Sequence, residues 1–236
     1  MNTKKITDDK IHIYVINLDR RPDRMMNMEK WLNQISFPWT RVVGVDGIFL
    51  SDQKINQINK HAARRLGKGE IGCLLSHVAA WNLAISDAVN YIWIMEDDVY
   101  PKVSISKLNE EVNKIINTSG WDIMYLTGKS NTDRFFKICS PEHLQPYLRN
   151  DQTCESNLET SLKTSLIPFF PVGPQIGAYS YILSISGIQK VSSFFEKPIN
   201  PVDVQLGQMN TWLYTSMWRL PLIEHLYDGT SDSQRN

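Results

Sequence analysis

The chain has 236 residues, 42% of them hydrophobic, which excludes a disordered protein and suits one folded domain over residues 1–236. Lys plus Arg equals Asp plus Glu at 25 each, so no overall field attracts nucleic acid, and no nucleic-acid partner is expected. Three cysteines, Cys73, Cys139 and Cys154, form no CxxC pair, which disfavours a zinc knuckle or a disulfide framework.

Short hydrophobic runs alternate with helical patterns in the first half of the chain. Residues Ile11 to Asn17 are rich in β-branched side chains and stop at a polar residue, as a buried parallel strand does. Pro22 is tolerated in a first helical turn, and apolar residues then recur at helical spacing until Pro38. The next predicted elements are a strand over 39–45, a basic mobile loop or short helix over 48–68, and a long helix over 69–89.

The second half opens with the apolar run Tyr91 to Met95, which predicts a central strand. The further predicted elements are a helix over 105–116, strands over 121–126 and 178–183, helices over 186–195 and 201–212, and a strand over 213–220. This alternation indicates an α/β fold with a mainly parallel, helix-covered, Rossmann-like sheet. Periodicity fades over 128–174, where we expect a variable acceptor-binding insertion or lid.

Three acids, Glu96, Asp97 and Asp98, follow that central strand directly. Neighbouring carboxylates resist burial unless a positive group compensates them, and a divalent cation such as Mg²⁺ or Mn²⁺ would do so. In an extended segment Glu96 and Asp98 would point to one side and Asp97 away. Ligands bind at the carboxyl ends of strands in open α/β sheets, although a solvated turn also explains an acidic triplet.

The turn after the first strand carries three guanidinium groups beside backbone amides that attract anions. It predicts a binding place for a diphosphate or uridine group. The candidate residues in this turn are Asn17, Leu18, Arg20, Arg21 and Arg24. A salt-bridged turn with Asp19 and Asp23 is the alternative.

The long helix over 69–89 opens with two glycines in four residues, which would weaken it unless a neighbour or ligand approaches its backbone. The predicted role is hydrogen bonding to a donor substrate or to the acidic strand. The alternative is a core histidine whose hydrogen bonds are made within the protein. The candidates in this segment are Gly69, Glu70, Gly72, Ser76 and His77.

These motifs together resemble glycosyltransferase family 25, which includes lipooligosaccharide and collagen galactosyltransferases. The resemblance rests on segments 13–24, 69–81 and 94–98, and on downstream blocks at 177–184 and 198–203. It covers nearly the whole chain except about residues 128–170. The resemblance implies a GT-A fold, a UDP-sugar donor, a divalent metal held by the acidic motif, and inversion at the anomeric carbon.

The resemblance also suggests roles for single residues. Asp98 is the first metal ligand, with Glu96 and His225 as further ligands, although a solvated tail is the favoured interpretation of His225. Asp203 is the general base, kept ionised by a helix dipole, or an ordinary N-cap. The remaining suggested roles are catalysis or ligand binding by Glu96 and Asp97, and nucleotide contacts by Asp46 and Gly47.

The expected function is transfer of a hexose from a UDP-sugar to a glycan, lipooligosaccharide or glycoprotein acceptor. Galactose is favoured, and glucose and N-acetylhexosamine stay open. The alternatives are a catalytically silent adhesion or scaffold protein and a metal-dependent phosphohydrolase or nucleotidyltransferase.

With a polar N-terminus and no long apolar run, we expect a cytoplasmic protein, with peripheral membrane association left open. Without a signal sequence, second domain or retention tetrapeptide, a bacterial or viral glycan enzyme is the better analogy.

Overall fold

The computed structural model describes residues 10–126, 169–171, 175, 177–195, 200–209 and 212–226. The strands are β1 (Ile11–Asn17), β2 (Trp39–Val43), β3 (Tyr91–Glu96), β4 (Val99–Pro101), β5 (Ile123–Tyr125), β6 (Phe169–Pro171), β7 (Ser180–Ser184), β8 (Thr215–Trp218) and β9 (Ile223–His225). The helices are α1 (Pro22–Leu32), α2 (Asp52–Asn59), α3 (Lys68–Asp87), α4 (Ile105–Ile116), α5 (Ile185–Phe194) and α6 (Val202–Gln208), with a 3₁₀ turn at Gly47–Phe49.

Among the described residues, seven strands in the order β2-β1-β3-β7-β5-β8-β6 form the central sheet. Strands β1, β2 and β3 pair in parallel, and so do β5 and β8, whereas β7 runs antiparallel to both β3 and β5. The prediction of a mixed α/β fold with a mostly parallel central sheet and flanking helices is confirmed. The carboxyl ends of β1, β2, β3, β5 and β8 therefore meet at one edge, the carboxyl edge.

Helices cover both faces of this sheet because alternate strand residues point to opposite sides. Ile13 and Val15 of β1 belong to one core, together with apolar residues of α1 and α4 such as Met28 and Val112. On the other face, Tyr14 and Ile16 belong to a second core built with α3, α5 and α6; its helical members include Leu74, Trp81, Ile188, Val191, Val202 and Leu206. Burial on both faces explains why the strands read as continuous apolar runs.

The 3₁₀ turn lies directly against the first turns of α3. A Cβ placed on Gly47 would lie 1.8 Å from the carbonyl oxygen of Lys68, and one on Gly72 would lie 2.6 Å from that of Val45. The two glycines thus allow backbone to approach backbone. This contact fixes the segment after β2 beside the start of α3.

A second sheet, made only of β4 and β9 among the described residues, lies beyond the end of β3. Val99 pairs with His225, and the Leu226 amide donates to the Asp98 carbonyl at 2.7 Å. His225 is thus held in a strand, so its interpretation as part of a solvated tail is wrong. Three-residue strands carry too little periodicity to be predicted from sequence.

Other predicted elements differ from the structure in extent. The region predicted as a mobile loop or short helix contains α2 and the 3₁₀ turn, and α6 ends at Gln208 rather than at 212. Most of the predicted insertion over 128–174 lies outside the described residues, and the single-domain organisation stays a prediction. Within the described ranges, no helix has the length and apolar character needed to cross a membrane.

Candidate active site

Side chains from β1, α1, β3 and β9 converge at the carboxyl edge. Asn17 ends β1, and its Nδ2 donates to Asp97 Oδ2 at 2.6 Å. Arg24, on the first turns of α1, is buried with only 8% of its surface exposed. Its Nη1 donates to Asp97 Oδ1 at 3.0 Å and to Asp98 Oδ2 at 2.9 Å. One guanidinium thus compensates two neighbouring carboxylates.

The acidic triplet is arranged differently from the sequence expectation. Strand β3 ends at Glu96 and the chain turns at Asp97 and Asp98, so these two carboxylates converge on Arg24. The expectation that Asp97 points away from Asp98 is wrong, because it assumed an extended backbone. The guanidinium of Arg24 also lies against these acids, whereas the sequence predicted a diphosphate contact for it.

Burial controls the protonation of Asp97. Removal from water raises the pKa of its carboxyl, while the hydrogen bonds from Asn17 and Arg24 oppose that rise. Both oxygens of Asp97 already accept hydrogen bonds. Asp97 therefore stabilises the turn through its hydrogen bonds with Asn17 and Arg24.

The two carboxylate oxygens of Asp98 differ in their contacts. Its Oδ1 is buried and has no hydrogen-bond partner in the described part of the chain, yet His225 Nε2 lies 3.4 Å away. Proximity to the Asp98 carboxylate raises the pKa of His225. Two ligands at about 2.1 Å from one octahedral ion lie about 3 Å apart, so a carboxylate oxygen and an imidazole nitrogen at this separation suit a divalent cation.

Glu96 faces a different group of side chains. Its Oε1 lies 3.3 Å from His77 Nε2 and 3.8 Å from Cys73 Sγ. The His77 ring is fully buried, and its Nδ1 lies 2.8 Å from the hydroxyl of Tyr181, which also accepts from Trp81 Nε1 at 3.0 Å. The side-chain contacts of Glu96 are thus with residues of α3, although its charge also raises the pKa of His225. His77 contacts the acidic strand, as one of its two predicted interpretations requires.

Asp203 lies in the first turn of α6 and also faces this site. The amides of Gly177 and Val204 donate to its two oxygens at 3.1 and 2.8 Å. Burial raises the pKa of Asp203 despite these hydrogen bonds, and the charge of Glu96 raises it further. Burial thus opposes the helix dipole, which the sequence interpretation invoked to keep Asp203 ionised.

A cleft of about 570 Å³ opens beside the ends of β1 and β2. Its lining residues are Asp19, Arg20, Gly44, Val45, Asp46, Phe49 and Leu50. Arg20 Nε donates to Asp46 Oδ2 at 2.6 Å, so two nucleotide-binding candidates lie together in its wall. Phe49 lines this cleft and is 84% exposed, so its aromatic ring is not part of the core.

Several other candidates have structural contacts. Arg21 pairs with the exposed Asp23 at 3.0 Å, which matches the alternative of a salt-bridged turn. Glu70 accepts from the Gly67 amide and pairs with Arg64, an arrangement that caps α3. These contacts account for the side chains without a ligand.

Ser76 joins α3 to the segment after β2. Its Oγ accepts from the Val45 amide at 2.8 Å and donates to the Gly72 carbonyl at 2.7 Å. The remaining candidates lie around this contact: Leu18 beside Gly44, Gly47 against Lys68, and Gly69 in the first turn of α3.

Sequence reasoning missed Cys73 as a site residue and the contact between Tyr181 and His77. Cys73 lies four residues before His77 on α3, a spacing that places both on one helix face and was visible in the sequence. Tyr181 approaches His77 from β7, which no local pattern indicates.

The sequence profile of glycosyltransferase family 25, described as an LPS biosynthesis protein family, matches residues 10–206. This chain belongs to glycosyltransferase family 25. Membership supports glycosyl transfer as the general activity.

Three relatives illustrate the range of the family. The chain is 30% identical over 141 residues to a glycosyltransferase 25 family member of Aedes aegypti, covering 53% of this chain and 23% of that protein. It is 29% identical over 151 residues to procollagen galactosyltransferase 2 of Mus musculus, covering 58% and 23%. It is 30% identical over 130 residues to the inactive glycosyltransferase 25 family member 3 of Homo sapiens, covering 50% and 22%. The matched part spans less than a quarter of each relative.

Proposed function

We propose that this family 25 chain is an inverting, divalent-metal-dependent hexosyltransferase of GT-A type that uses a UDP-sugar donor. The observation that carries this proposal is the Asp98 Oδ1 atom, which lacks a hydrogen-bond partner among the described residues and lies 3.4 Å from His225 Nε2. Mn²⁺ or Mg²⁺ would be held by this pair, and when bound it supplies charge neutralisation for a departing diphosphate.

Local charge favours a cation at this place. The carboxyl groups of Glu96, Asp97, Asp98 and Asp203 lie around the strand end, and Arg24 is the buried guanidinium that contacts two of them. Carboxylates in excess over cations destabilise one another in a poorly solvated site. A bound divalent ion would relieve that repulsion.

The cleft lined by Arg20, Asp46 and Phe49 would take the nucleotide end of the donor. Arg20 can hydrogen bond to a phosphate or ribose oxygen, since it lies at the rim of the cleft with part of its surface exposed. Phe49 offers an exposed ring face on which a uracil can stack. The diphosphate would then extend toward Asp98.

Asp203 would remove the proton from the acceptor hydroxyl. Its raised pKa makes the carboxylate a stronger base than a solvated aspartate, and its two backbone hydrogen bonds fix its orientation. A single displacement with one base gives inversion at the anomeric carbon.

The relatives support the proposed donor sugar and acceptor. Galactose is favoured because a mouse relative is named a procollagen galactosyltransferase, and a lipooligosaccharide or other glycan acceptor is favoured by the family description. Glucose and N-acetylhexosamine are the competing donor sugars, and a glycoprotein is the competing acceptor.

A UDP-release assay with a panel of UDP-sugars and Mn²⁺ tests this function. We expect release with UDP-galactose, and Asp98→Asn should lower it by more than the roughly 10- to 100-fold that loss of an outer partner of a metal site costs. Asp52→Asn, a change at an exposed residue of α2, is the matched control and should keep the rate.

Two outcomes would point elsewhere. UDP binding without turnover of any sugar would favour a silent fold, a state represented by the inactive human relative. Release of phosphate or pyrophosphate in place of UDP would favour a phosphohydrolase or nucleotidyltransferase.

A further inference from the structure

Three metal-binding groups of different chemistry meet where α3 passes the end of β3. The Cys73 sulfur, a ring nitrogen of His77 and a carboxylate oxygen of Glu96 all lie within 4.8 Å of one another. Cys73 and His77 are four residues apart and share a face of α3, while Glu96 is the last residue of β3. Helix and strand thus bring them together without a loop.

We propose that Cys73, His77 and Glu96 form a binding site for a thiophilic divalent cation of the Zn²⁺ class. A tetrahedral Zn²⁺ with bonds of about 2.0 to 2.3 Å separates a nitrogen and an oxygen ligand by about 3.3 Å, and a sulfur and an oxygen ligand by about 3.5 Å. The observed separations are 3.3 Å between His77 and Glu96 and 3.8 Å between Cys73 and Glu96. These two separations lie within a few tenths of an ångström of the tetrahedral values, and the Cys73 sulfur and the His77 nitrogen lie within 4.8 Å of each other.

The surroundings of His77 fit a ligand histidine. Its second ring nitrogen lies 2.8 Å from the Tyr181 hydroxyl, which fixes the ring with Nε2 toward Glu96. Such an outer partner is a regular feature of metal-binding histidines. A hydroxyl can donate or accept, so Tyr181 suits the tautomer that leaves Nε2 free to bind the cation.

The proposed site is open on one side. His77 is fully buried, whereas the Glu96 side chain is 29% exposed and Cys73 is partly exposed. A cation can enter past Glu96, and water can supply the fourth ligand, as in zinc sites with three protein ligands. On binding, the Cys73 sulfur–hydrogen bond breaks, the proton goes to solvent, and a sulfur–metal bond forms.

This site is distinct in chemistry from the Asp98–His225 pair. The Cys73 thiolate favours a thiophilic ion such as Zn²⁺ or Co²⁺ here, whereas the Asp98–His225 pair has no thiolate and lies among carboxylates, which suit Mg²⁺ or Mn²⁺. A Zn²⁺ ion here would engage Glu96 and place positive charge near Asp203, so it should inhibit transfer. That consequence rests on the proposed transferase function, whereas binding of the cation does not.

Titration of the full chain with Co²⁺, followed by its thiolate charge-transfer absorption, tests the site. We expect the band to saturate at one Co²⁺ per chain and to disappear on addition of Zn²⁺. Cys73→Ser should lose the band, and Glu96→Gln should weaken Co²⁺ binding by at least about tenfold. In the transfer assay with Mn²⁺, Zn²⁺ should inhibit over the same concentration range in which it displaces Co²⁺.

Two matched variants separate this site from other ligands. Replacing Cys139 and Cys154 together by Ser should keep the band, and so should Asp98→Asn. A band that is missing from the unmodified chain, or that survives in Cys73→Ser, overturns the proposal. Absence of the band with intact UDP release would overturn this site alone, whereas a Cys73-dependent band without UDP release would overturn only the transferase function.

Discussion

Asp97 and Asp98 are adjacent in sequence but differ in what their oxygens contact. Both oxygens of Asp97 accept hydrogen bonds, from Asn17 and from Arg24. Asp98 shares Arg24 through one oxygen and turns the other toward His225. At the scale of single residues, this difference makes Asp98 the candidate metal ligand and Asp97 the residue that positions it.

Asp203→Asn should separate chemistry from stability. As the proposed general base, Asp203 contributes roughly 10²- to 10⁴-fold to turnover, so the variant should lose transfer while it keeps UDP binding. Its folded pKa is raised, so ionisation of Asp203 costs more in the folded than in the unfolded protein. The wild-type stability contribution is complete below the ordinary pKa of 3.8 and falls as pH rises through the higher folded pKa.

Urea denaturation at several pH values checks the second part of this prediction. The unfolding free energy of Asp203→Asn minus that of wild type should increase from about pH 3.8 upward and become constant above the folded pKa. Loss of a backbone acceptor shifts the difference equally at each pH, so the slope is the test. A pH-independent difference, or normal turnover, would contradict the assignment.

Single residues of the site were predictable where the signal was local. The acids after a buried strand and the Arg-rich turn follow from chain order, since strand ends carry ligands in α/β sheets. The contacts of Asp97 with Asn17 and Arg24 join residues 80 and 73 positions apart, which no periodicity encodes. The geometry around Asp98 also depends on a turn whose backbone breaks the alternation of a strand.

At the scale of the elements, the first turns of α3 contain a glycine that a tertiary contact requires. Gly72 is inside a helix, where alanine is intrinsically better by about 1 kcal/mol. Its Cα nevertheless lies so close to the 3₁₀ turn that a Cβ would be 2.6 Å from the Val45 oxygen and 2.8 Å from the Gly47 nitrogen. Tertiary contact therefore determines the residue at this position.

Gly72→Ala should lower the free energy of unfolding by about 1–3 kcal/mol, because the atoms that the new Cβ meets belong to backbone and cannot rotate away. Urea denaturation measures this change. Ser86→Ala, at an exposed position of the same helix, is the control and should raise stability slightly. A Gly72→Ala protein as stable as wild type would show that the 3₁₀ turn moves easily.

The elements themselves were largely predictable from apolar periodicity. Helix α4 has the bounds that its pattern predicts, and β1 and β3 were recognised from apolar runs buried on both faces. The antiparallel direction of β7 could not be predicted, because an apolar run looks the same in a parallel and an antiparallel strand. Strands β4 and β9 are too short to show a period, and this is why the place of His225 was missed.

At the scale of the whole molecule, ligand binding should raise thermal stability. UDP together with Mn²⁺ at about 100 times the dissociation constant adds about 2.7 kcal/mol, which corresponds to roughly 5–10 °C in Tm for a chain of this size. Differential scanning fluorimetry measures the shift. Asp98→Asn should lose most of it while unfolding at a similar temperature without ligand.

Omission of Mn²⁺ provides the control for this prediction. UDP without Mn²⁺ should give a smaller shift, since the diphosphate would then meet uncompensated acids. An equal shift with and without Mn²⁺ would contradict a metal between Asp98 and the donor.

The antiparallel direction of β6 determines at which edge of the sheet the chain re-enters after β5. Strand β5 ends at the carboxyl edge, and Leu126 follows it; Phe169 pairs with Trp218, the last residue of β8, at the same edge. The chain therefore leaves the sheet after Leu126 and re-enters it at Phe169 on the same carboxyl edge. Each doubling of such a connection costs only about 0.6 kcal/mol of closure entropy, so its length can diverge between relatives without disturbing a strand.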